Sequence, residues 1–176
     1  MLFLLSLAGF SLDNDIKCGI ISSMNIFKLD NDPKLAAQYH NDRHCVKMCL
    51  EYAQLLCTTR REYGDVTAPY RATHKNHPSA IWARESIDNY IWLCDLGIEL
   101  CEEYTKRYGR RHKCQDVIED CIVNSPDLPD IGITPLKLAM PDEYKSDCPV
   151  KSYRNYYMSD KRHLADWKTQ VPVWWN

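Results

Sequence analysis

The sequence has few glycines and lacks the short motifs by which several large enzyme classes are recognised. Only 6 of its 176 residues are glycine. It contains no glycine-rich phosphate loop, no G-x-S-x-G turn and no kinase-type motif. These absences exclude P-loop NTPases, α/β-hydrolases and protein kinases from the candidate functions.

The chain also lacks an excess of charge of either sign. It has 22 Lys and Arg against 24 Asp and Glu, which gives a formal net charge of −2 at pH 7. Any contact with nucleic acid must therefore come from a local patch rather than from the charge of the whole molecule. The hydrophobic content of 45% is ordinary for a globular protein, so we expect one domain with a sizeable core.

No C-x-x-C pair occurs among the nine cysteines, so the spacing of a zinc ribbon or a redox dithiol is absent. Cys94 and Cys101 are seven residues apart on a predicted apolar stripe, and Cys114 and Cys121 repeat this interval. We therefore expect reduced core cysteines in a cytoplasmic protein. A disulfide framework or a metal cluster is the alternative.

The first ten residues, MLFLLSLAGF, are apolar but too few to span a bilayer, and we expect no membrane partner. They lack a basic start and a small-residue cleavage site, which argues against a signal peptide. The phrase MNIFKLD from Met24 is typical of the start of a domain. We expect residues 1–23 to be an extension outside the domain and residues 24–176 to form it. The alternative is that the extension is a helix that covers an apolar groove.

The strongest helical pattern covers residues 79–108, where apolar side chains recur at steps of three and four. Pro78 suits the first turn of this helix, and Gly109 suits its end. The sequence therefore predicts a mainly α, single-domain fold organised on one long central helix at about 79–108, with little or no sheet.

A second helix is predicted from Pro33 to about residue 58, with Asp32 as its cap. Four functional side chains follow one face of it at intervals of four, three and four residues: His40, His44, Lys47 and Glu51. We expect this face to meet three residues near the start of the long helix: His74, His77 and Arg84. The alternative is a solvated face with an ordinary Lys–Glu pair.

The four histidines in these segments do not have the HExxH spacing of a zinc enzyme. We predict no metal ion and no other cofactor, and we keep a histidine-based metal-dependent enzyme as a further alternative. The densest basic segment is KRYGRRHK at residues 106–113, and such a segment can hold a phosphate backbone. The predicted nucleic-acid contacts outside the histidine face are Lys106, Arg107, Arg110, Arg111, Lys113 and, as a stacking platform, Trp174.

Four short phrases occur in an order that has a counterpart in a known family. They are MNIFKLDNDPKLAAQYH at residues 24–40, IELCEEYTKRYG at 98–109, PDEYKSD at 141–147 and PVWW at 172–175. Together they resemble the phage pyrimidine-dimer DNA glycosylases of the endonuclease V type. The resemblance implies a small, mostly helical enzyme that acts on damaged pyrimidines.

The catalytic residues of that family do not transfer directly. Its members use the α-amine of a threonine, exposed when Met is removed, together with a glutamate on the first helix. Here Asn25 follows the Met, and Lys47 stands near the position of the glutamate. We hypothesise a rebuilt site in which Lys47 is the nucleophile, provided that burial beside a cation lowers its pKa. Glu51 would be its acid–base partner, and His44 would hold a phosphate or the leaving base.

The sequence therefore predicts a DNA-acting protein that binds or modifies damaged or modified pyrimidines. Its expected partner is duplex DNA or a nucleotide. A non-catalytic module that binds nucleic acid or nucleotides is the alternative, and the sequence indicates no oligomeric state.

Overall fold

The computed structural model describes residues 24–175, so the expected extension at 1–23 lies outside the described residues. The described chain forms six α-helices: α1 (Pro33–Tyr39), α2 (Asp42–Glu62), α3 (Pro78–Ala83), α4 (Ile87–Tyr108), α5 (Gln115–Val123) and α6 (Pro149–Met158). Two short 3-10 turns follow α5 and α6, at Asp142–Tyr144 and Arg162–Leu164. No strand occurs between residues 24 and 175, so the predicted mainly α fold is confirmed. Within the same range no helix combines the length and apolarity needed to cross a bilayer.

The central helix is shorter than predicted because the segment at 79–108 is divided. Ser86 begins α4, and its hydroxyl accepts a hydrogen bond from the Asn89 backbone amide at 3.1 Å. The Asn89 side chain donates to the Trp82 carbonyl at 2.8 Å, which satisfies the end of α3. Such side-chain caps stabilise a new helix start, so the expectation of one continuous helix is wrong at residues 84–86. α4 still occupies the centre, where it packs against α1, α2, α3 and α5.

The helix predicted at 33–58 is divided in the same way and extends to Glu62. Asn41 begins α2, because its side chain accepts a hydrogen bond from the His44 amide at 2.8 Å. His40 caps the end of α1 in an extended conformation and so does not lie on the face of α2. Two apolar residues of α2, Val46 and Leu50, are exposed. The face of α2 that carries Tyr52 turns inward instead.

The run before α1 is buried, although it has no regular secondary structure. Tyr52 of α2 accepts a hydrogen bond from the Phe27 amide at 3.3 Å. Tyr153 of α6 donates to the Asn25 side-chain oxygen at 2.7 Å. These two buried phenols hold the first described residues between α2 and α6, where Asn25 becomes part of a cavity wall.

The cysteines occupy the positions expected of small apolar side chains. Eight of them lie in the described chain, none of these eight is in a disulfide, and all but Cys148 are buried.

Candidate functional site

A cavity of about 860 Å³ lies between the N-terminal run, α2 and the segments on either side of α6. This volume is typical of pockets that enclose a small organic ligand. Four residues that the sequence proposed as functional line it together: His44, Lys47, Glu51 and His77. The spacing of three and four residues brings the first three to one side of α2, as the sequence predicted. Ordinary helix geometry is therefore enough to explain the common position of these three residues.

Lys47 and Glu51 form an ion pair on this wall, with 2.9 Å between Lys47 Nζ and Glu51 Oε1. The Glu51 side chain is only 9% exposed, whereas the Lys47 side chain is 51% exposed. The burial that the sequence-based hypothesis required for Lys47 is therefore absent. The second oxygen of Glu51 accepts a hydrogen bond from the backbone amide of Asn25 at 3.3 Å. The sequence did not predict this contact, because it joins segments that only tertiary packing brings together.

His44 is held from both sides in the wall of the cavity. The Phe27 ring stacks on it with 4.5 Å between centroids, and the Tyr157 ring meets it nearly edge-on. The Tyr157 hydroxyl lies 2.5 Å from His44 Nδ1. Burial, with nearby His40, Lys161, Lys47 and His163, lowers the pKa of His44 to about 2. His44 is therefore a neutral ring at pH 7.

His40 lies behind the cavity wall, and its predicted role as a substrate contact is wrong in this structure. It has no exposed surface. Its Nδ1 donates to the Ala36 carbonyl at 2.7 Å, and its Nε2 accepts from the Tyr52 hydroxyl at 2.8 Å. Both ring nitrogens are thus used inside the protein. His40 connects α1 to α2 and supports the wall on which His44 lies.

Several lining residues come from the segment after α6, which the sequence did not connect with the histidine face. Lys161 and His163 lie in this segment, and Lys161 forms an ion pair with Asp160 at 2.8 Å. Four basic residues line the cavity, against two acidic ones. The charge of the cavity therefore has the opposite sign to that of the whole chain. The phrase DKRH at 160–163 was the one available signal, and it is too short to predict a site. The basic residues are Arg43, Lys47, Lys145 and Lys161.

Three residues predicted near the start of the long helix do not behave alike. His77 reaches the cavity, where it caps α3 by accepting a hydrogen bond from the Ser79 amide at 3.2 Å. Burial and the nearby His74 lower the pKa of His77. His74 is exposed outside the cavity lining and contacts the Thr73 hydroxyl, and Arg84 folds back on the Ala80 carbonyl. Their contact with DNA stays a prediction.

Arg107 does not lie on the surface of the basic segment, so its predicted role in phosphate binding is wrong in this structure. Its guanidinium is fully buried and pairs with Asp42 at 3.1 Å and with Glu103 at 2.8 Å. It also donates to the carbonyls of Gln38 and His40. Arg107 therefore ties the end of α1 and the start of α2 to α4.

The rest of the basic segment lies outside the cavity and is partly neutralised by carboxylates. Arg111 pairs with Asp116 and Glu119, and Lys106 pairs with Glu103. Arg110 donates to the Tyr104 hydroxyl, and Lys113 is exposed. Binding of DNA by Lys106, Arg110, Arg111 and Lys113 stays a prediction.

Trp174 is half-buried in an aromatic cluster at the C-terminal end. The Arg154 guanidinium lies over its ring at 5.1 Å, and the Tyr39 ring meets it edge-on. These neighbours cover much of the ring that would have to stack on a base. The aromatic residues of α6 itself are core residues, because Tyr153 and Tyr157 have no exposed surface.

One group in the described chain brings metal-type donor atoms together: Cys49, Cys101 and His112 lie within 4.8 Å of one another. A hydrogen bond with Cys101 and burial raise the pKa of Cys49 far above its ordinary value, which favours the thiol over the thiolate that a metal needs. His112 Nδ1 accepts a hydrogen bond from the Cys114 amide, so a metal ion at this nitrogen would have to displace that bond.

The fold and the site together define a mainly α protein with a cation-rich cavity. Comparison with protein-family models, curated proteins and solved structures finds no match to this chain. The residues of the cavity are therefore the basis on which a function can be proposed.

Proposed function

We propose that the protein is a DNA glycosylase for damaged or modified pyrimidines and that its reaction takes place in the cavity. The observation that carries this proposal is the contact between Lys47 and Glu51, where an amine and a carboxylate lie 2.9 Å apart. An amine can attack the sugar carbon that bears a base, and a carboxylate beside it can move the protons. The colinear resemblance to the pyrimidine-dimer glycosylases supports the same class.

In the proposed reaction, Glu51 first takes a proton from the Lys47 ammonium group. The neutral amine then forms a bond to C1′, and the glycosidic bond breaks with its electron pair on the departing base. The base takes the proton back from Glu51. Glu51 next accepts a proton from the substituted nitrogen and passes it to the ring oxygen O4′ as the C1′–O4′ bond breaks, which leaves a protonated imine that water can hydrolyse. Glu51 thus relays each proton that the reaction moves.

The half-exposed position of Lys47 is compatible with this chemistry once a ligand is bound. A nucleotide in the cavity would cover the exposed part of the side chain and remove water from the ion pair. Loss of water makes a separated ammonium and carboxylate costly, so transfer of the proton to Glu51 becomes more favourable. Removal of the nucleotide from the base stack supplies a ligand of this kind.

The test is covalent trapping with borohydride, which reduces an imine between Lys47 and a DNA sugar. Labelled duplexes, undamaged or carrying a pyrimidine dimer, are incubated with proteins that begin at Met1 and at Met24. We expect trapping only on the damaged duplex. Lys47→Ala should abolish it, and Glu51→Gln should lower it at least 100-fold, which is the usual contribution of a positioned acid–base group.

Lys34→Ala is the matched control, because Lys34 also forms an ion pair with a glutamate but lies outside the cavity. It should trap as the unchanged protein does. Base release without trapping would contradict the role of Lys47 as nucleophile. It would instead support hydrolysis by a water molecule that Glu51 activates. Absence of both base release and trapping on every damaged duplex would overturn the proposal.

A second candidate is a nucleotide-binding protein without catalysis. It is favoured by the excess of basic residues in the cavity and by the exposed half of Lys47. Tight binding of a free nucleotide, with no base release from nucleotide or DNA, would support this candidate over the glycosylase.

A further inference from the structure

We propose that His44, Lys161 and His163 form a phosphate-binding subsite, the phosphate end of the cavity, in which His44 is a fixed neutral hydrogen-bond donor. This inference rests on the proposed function, because it names the group of the nucleotide that one end of the same cavity holds. It also assigns a role to Tyr157, which touches no ligand. Tyr157 is a positioning residue that decides which nitrogen of His44 carries the proton.

The first step is the direction of the hydrogen bond between Tyr157 and His44. Burial raises the pKa of Tyr157, and the backbone amide of Asn41 opposes this shift, so the amide N–H group faces the hydroxyl oxygen and cannot accept its proton. The hydroxyl proton needs an acceptor, and among the described residues His44 Nδ1 is the acceptor in reach, at 2.5 Å. Tyr157 therefore donates to Nδ1. The neutral His44 ring must then carry its proton on Nε2.

The second step is that the His44 ring is also held against a flip that would interchange the positions of Nδ1 and Nε2. Phe27 covers one face in a stacked arrangement, with 21° between the ring planes. Tyr157 is fully buried, so its hydroxyl is not free to find water as another partner. His44 itself is only 7% exposed, and it lines the cavity. The Nε2–H group is thus the polar atom that His44 offers to a ligand.

The third step is the charge around this donor. Lys161 and His163 line the cavity together with His44, and both contribute to the lowered pKa of His44, as does Lys47 from α2 itself. Arg43, the neighbour of His44 on α2, also lines the cavity. Asp160 is the acidic residue of this segment, and it pairs with Lys161. An anion with several oxygens can accept from His44 while it faces these cations, which is the chemistry of a phosphate group.

The fourth step is the distance from the reacting groups. His44 precedes Lys47 by three residues and Glu51 by seven on α2. At 1.5 Å per residue these intervals are about 4.5 and 10 Å along the helix axis. A deoxyribose fits between a phosphate at the phosphate end and a C1′ atom beside Lys47. The arrangement therefore suits one nucleotide unit, from a DNA strand or from a free nucleotide.

The test uses the full chain and compares thymidine 5′-monophosphate with thymidine by titration calorimetry. The monophosphate should bind at least 10-fold more tightly. His44→Phe keeps a ring but removes the donor, so it should remove most of this preference. His44→Gln, which can place an amide N–H near the position of Nε2, should restore part of it. Lys161→Ala should weaken monophosphate binding, whereas Lys151→Ala, an exposed lysine on α6 outside the cavity, should not.

The role of Tyr157 has its own readout, because ¹⁵N NMR of the His44 ring reports its tautomer directly. We expect the Nε2–H form in the unchanged protein and a mixture of tautomers in Tyr157→Phe. Tyr90→Phe is the control, because it also removes a buried hydroxyl, but one that donates to the Cys121 backbone carbonyl and lies outside the cavity. It should leave the His44 tautomer and the phosphate preference unchanged. An Nδ1–H form in the unchanged protein would overturn the inference.

Equal affinity for thymidine and its monophosphate, or competition by acetate as strong as by inorganic phosphate, would also overturn it. Preference for a short oligothymidylate over the monophosphate would assign the phosphate to a DNA strand, and the reverse would assign it to a free nucleotide. A phosphate preference without borohydride trapping would support the phosphate-binding subsite and contradict the glycosylase activity. Trapping without a phosphate preference would support the glycosylase activity and contradict the subsite.

Discussion

Two buried histidines, His40 and His44, remain uncharged for the same physical reason. Each is enclosed by protein, and each uses a ring nitrogen to bind a buried tyrosine hydroxyl. Burial is the main cause of the lowered pKa in both, and it brings the pKa of His40 to about 3. Charge on either ring would therefore cost free energy in the folded state.

The difference between the pKa values of these histidines in the folded and in the unfolded chain predicts a loss of stability in mild acid. An unfolded histidine titrates near pH 6.5, so below that pH the unfolded chain binds protons that the folded chain excludes. The stabilisation is present above pH 6.5 and is lost as the pH falls towards the folded values. The free energy of unfolding, measured with urea at constant ionic strength, should fall by about 2 kcal/mol per buried histidine between pH 6.5 and 5.

His40→Gln should reduce this pH dependence by about half, and His74→Gln, which changes an exposed ring, should not alter it. A urea midpoint that stays constant from pH 6.5 to 5 would mean that both rings accept protons in the folded protein.

At the scale of the helices, the start of α4 depends on one serine. The Ser86 hydroxyl is buried and accepts the hydrogen bond of the Asn89 amide. Loss of such a cap leaves a backbone amide without a partner. Ser86→Ala should therefore lower the free energy of unfolding by about 1 kcal/mol in chemical denaturation.

Ser125→Ala is a suitable comparison, because the Ser125 hydroxyl is exposed and donates to the Ile122 carbonyl after α5. Its effect should stay within about 0.5 kcal/mol. Equal effects of the two substitutions would mean that Ser86 does not hold the start of α4.

The helices that the sequence predicted well are those with a long, regular apolar period. Residues 87–108 of the predicted long helix form α4. The two breaks, near Ser86 and Asn41, were not predicted because serine and asparagine occur both inside helices and at their starts. The residue type alone therefore does not mark the break. The hydrogen-bond partners in the folded protein decide where a helix ends and the next begins, as the bond from the Asn89 side chain to the Trp82 carbonyl does between α3 and α4.

The candidate site was predictable to a similar extent. His44, Lys47 and Glu51 share a helical face, so their common position follows from spacing alone. Lys161 and His163 come from more than 100 residues further along the chain, and no local pattern connects them with α2. Their position beside α2 results from tertiary packing, which the periodicity of the sequence does not predict.

For the whole molecule, the proposed binding of DNA has to be compatible with a formal net charge of −2. The described basic residues outside the cavity include several that carboxylates already neutralise, such as Arg111. We therefore expect few phosphate contacts. The plot of log affinity against log salt should have a slope of about −2 to −4, because each neutralised phosphate contributes about −0.9.

Lys161→Ala should reduce this slope by about one unit, and Lys34→Ala should leave it unchanged. An equal reduction for Lys113→Ala would support the role that the sequence assigned to the basic segment at 106–113. A slope near zero would contradict phosphate binding by either surface.

The bond between Tyr153 and Asn25 joins residues that are 128 positions apart, and the contact between Tyr157 and His44 spans 113 positions. Synthesis on the ribosome proceeds from the N-terminus, so α2, α4 and α5 can pack against one another before α6 has emerged. The cavity is therefore completed only after α6 and the segment that follows it have been made. Until then Phe27 and His44 lack the partners that enclose them, and a nascent chain that stalls after α5 exposes the Lys47–Glu51 pair in an open groove.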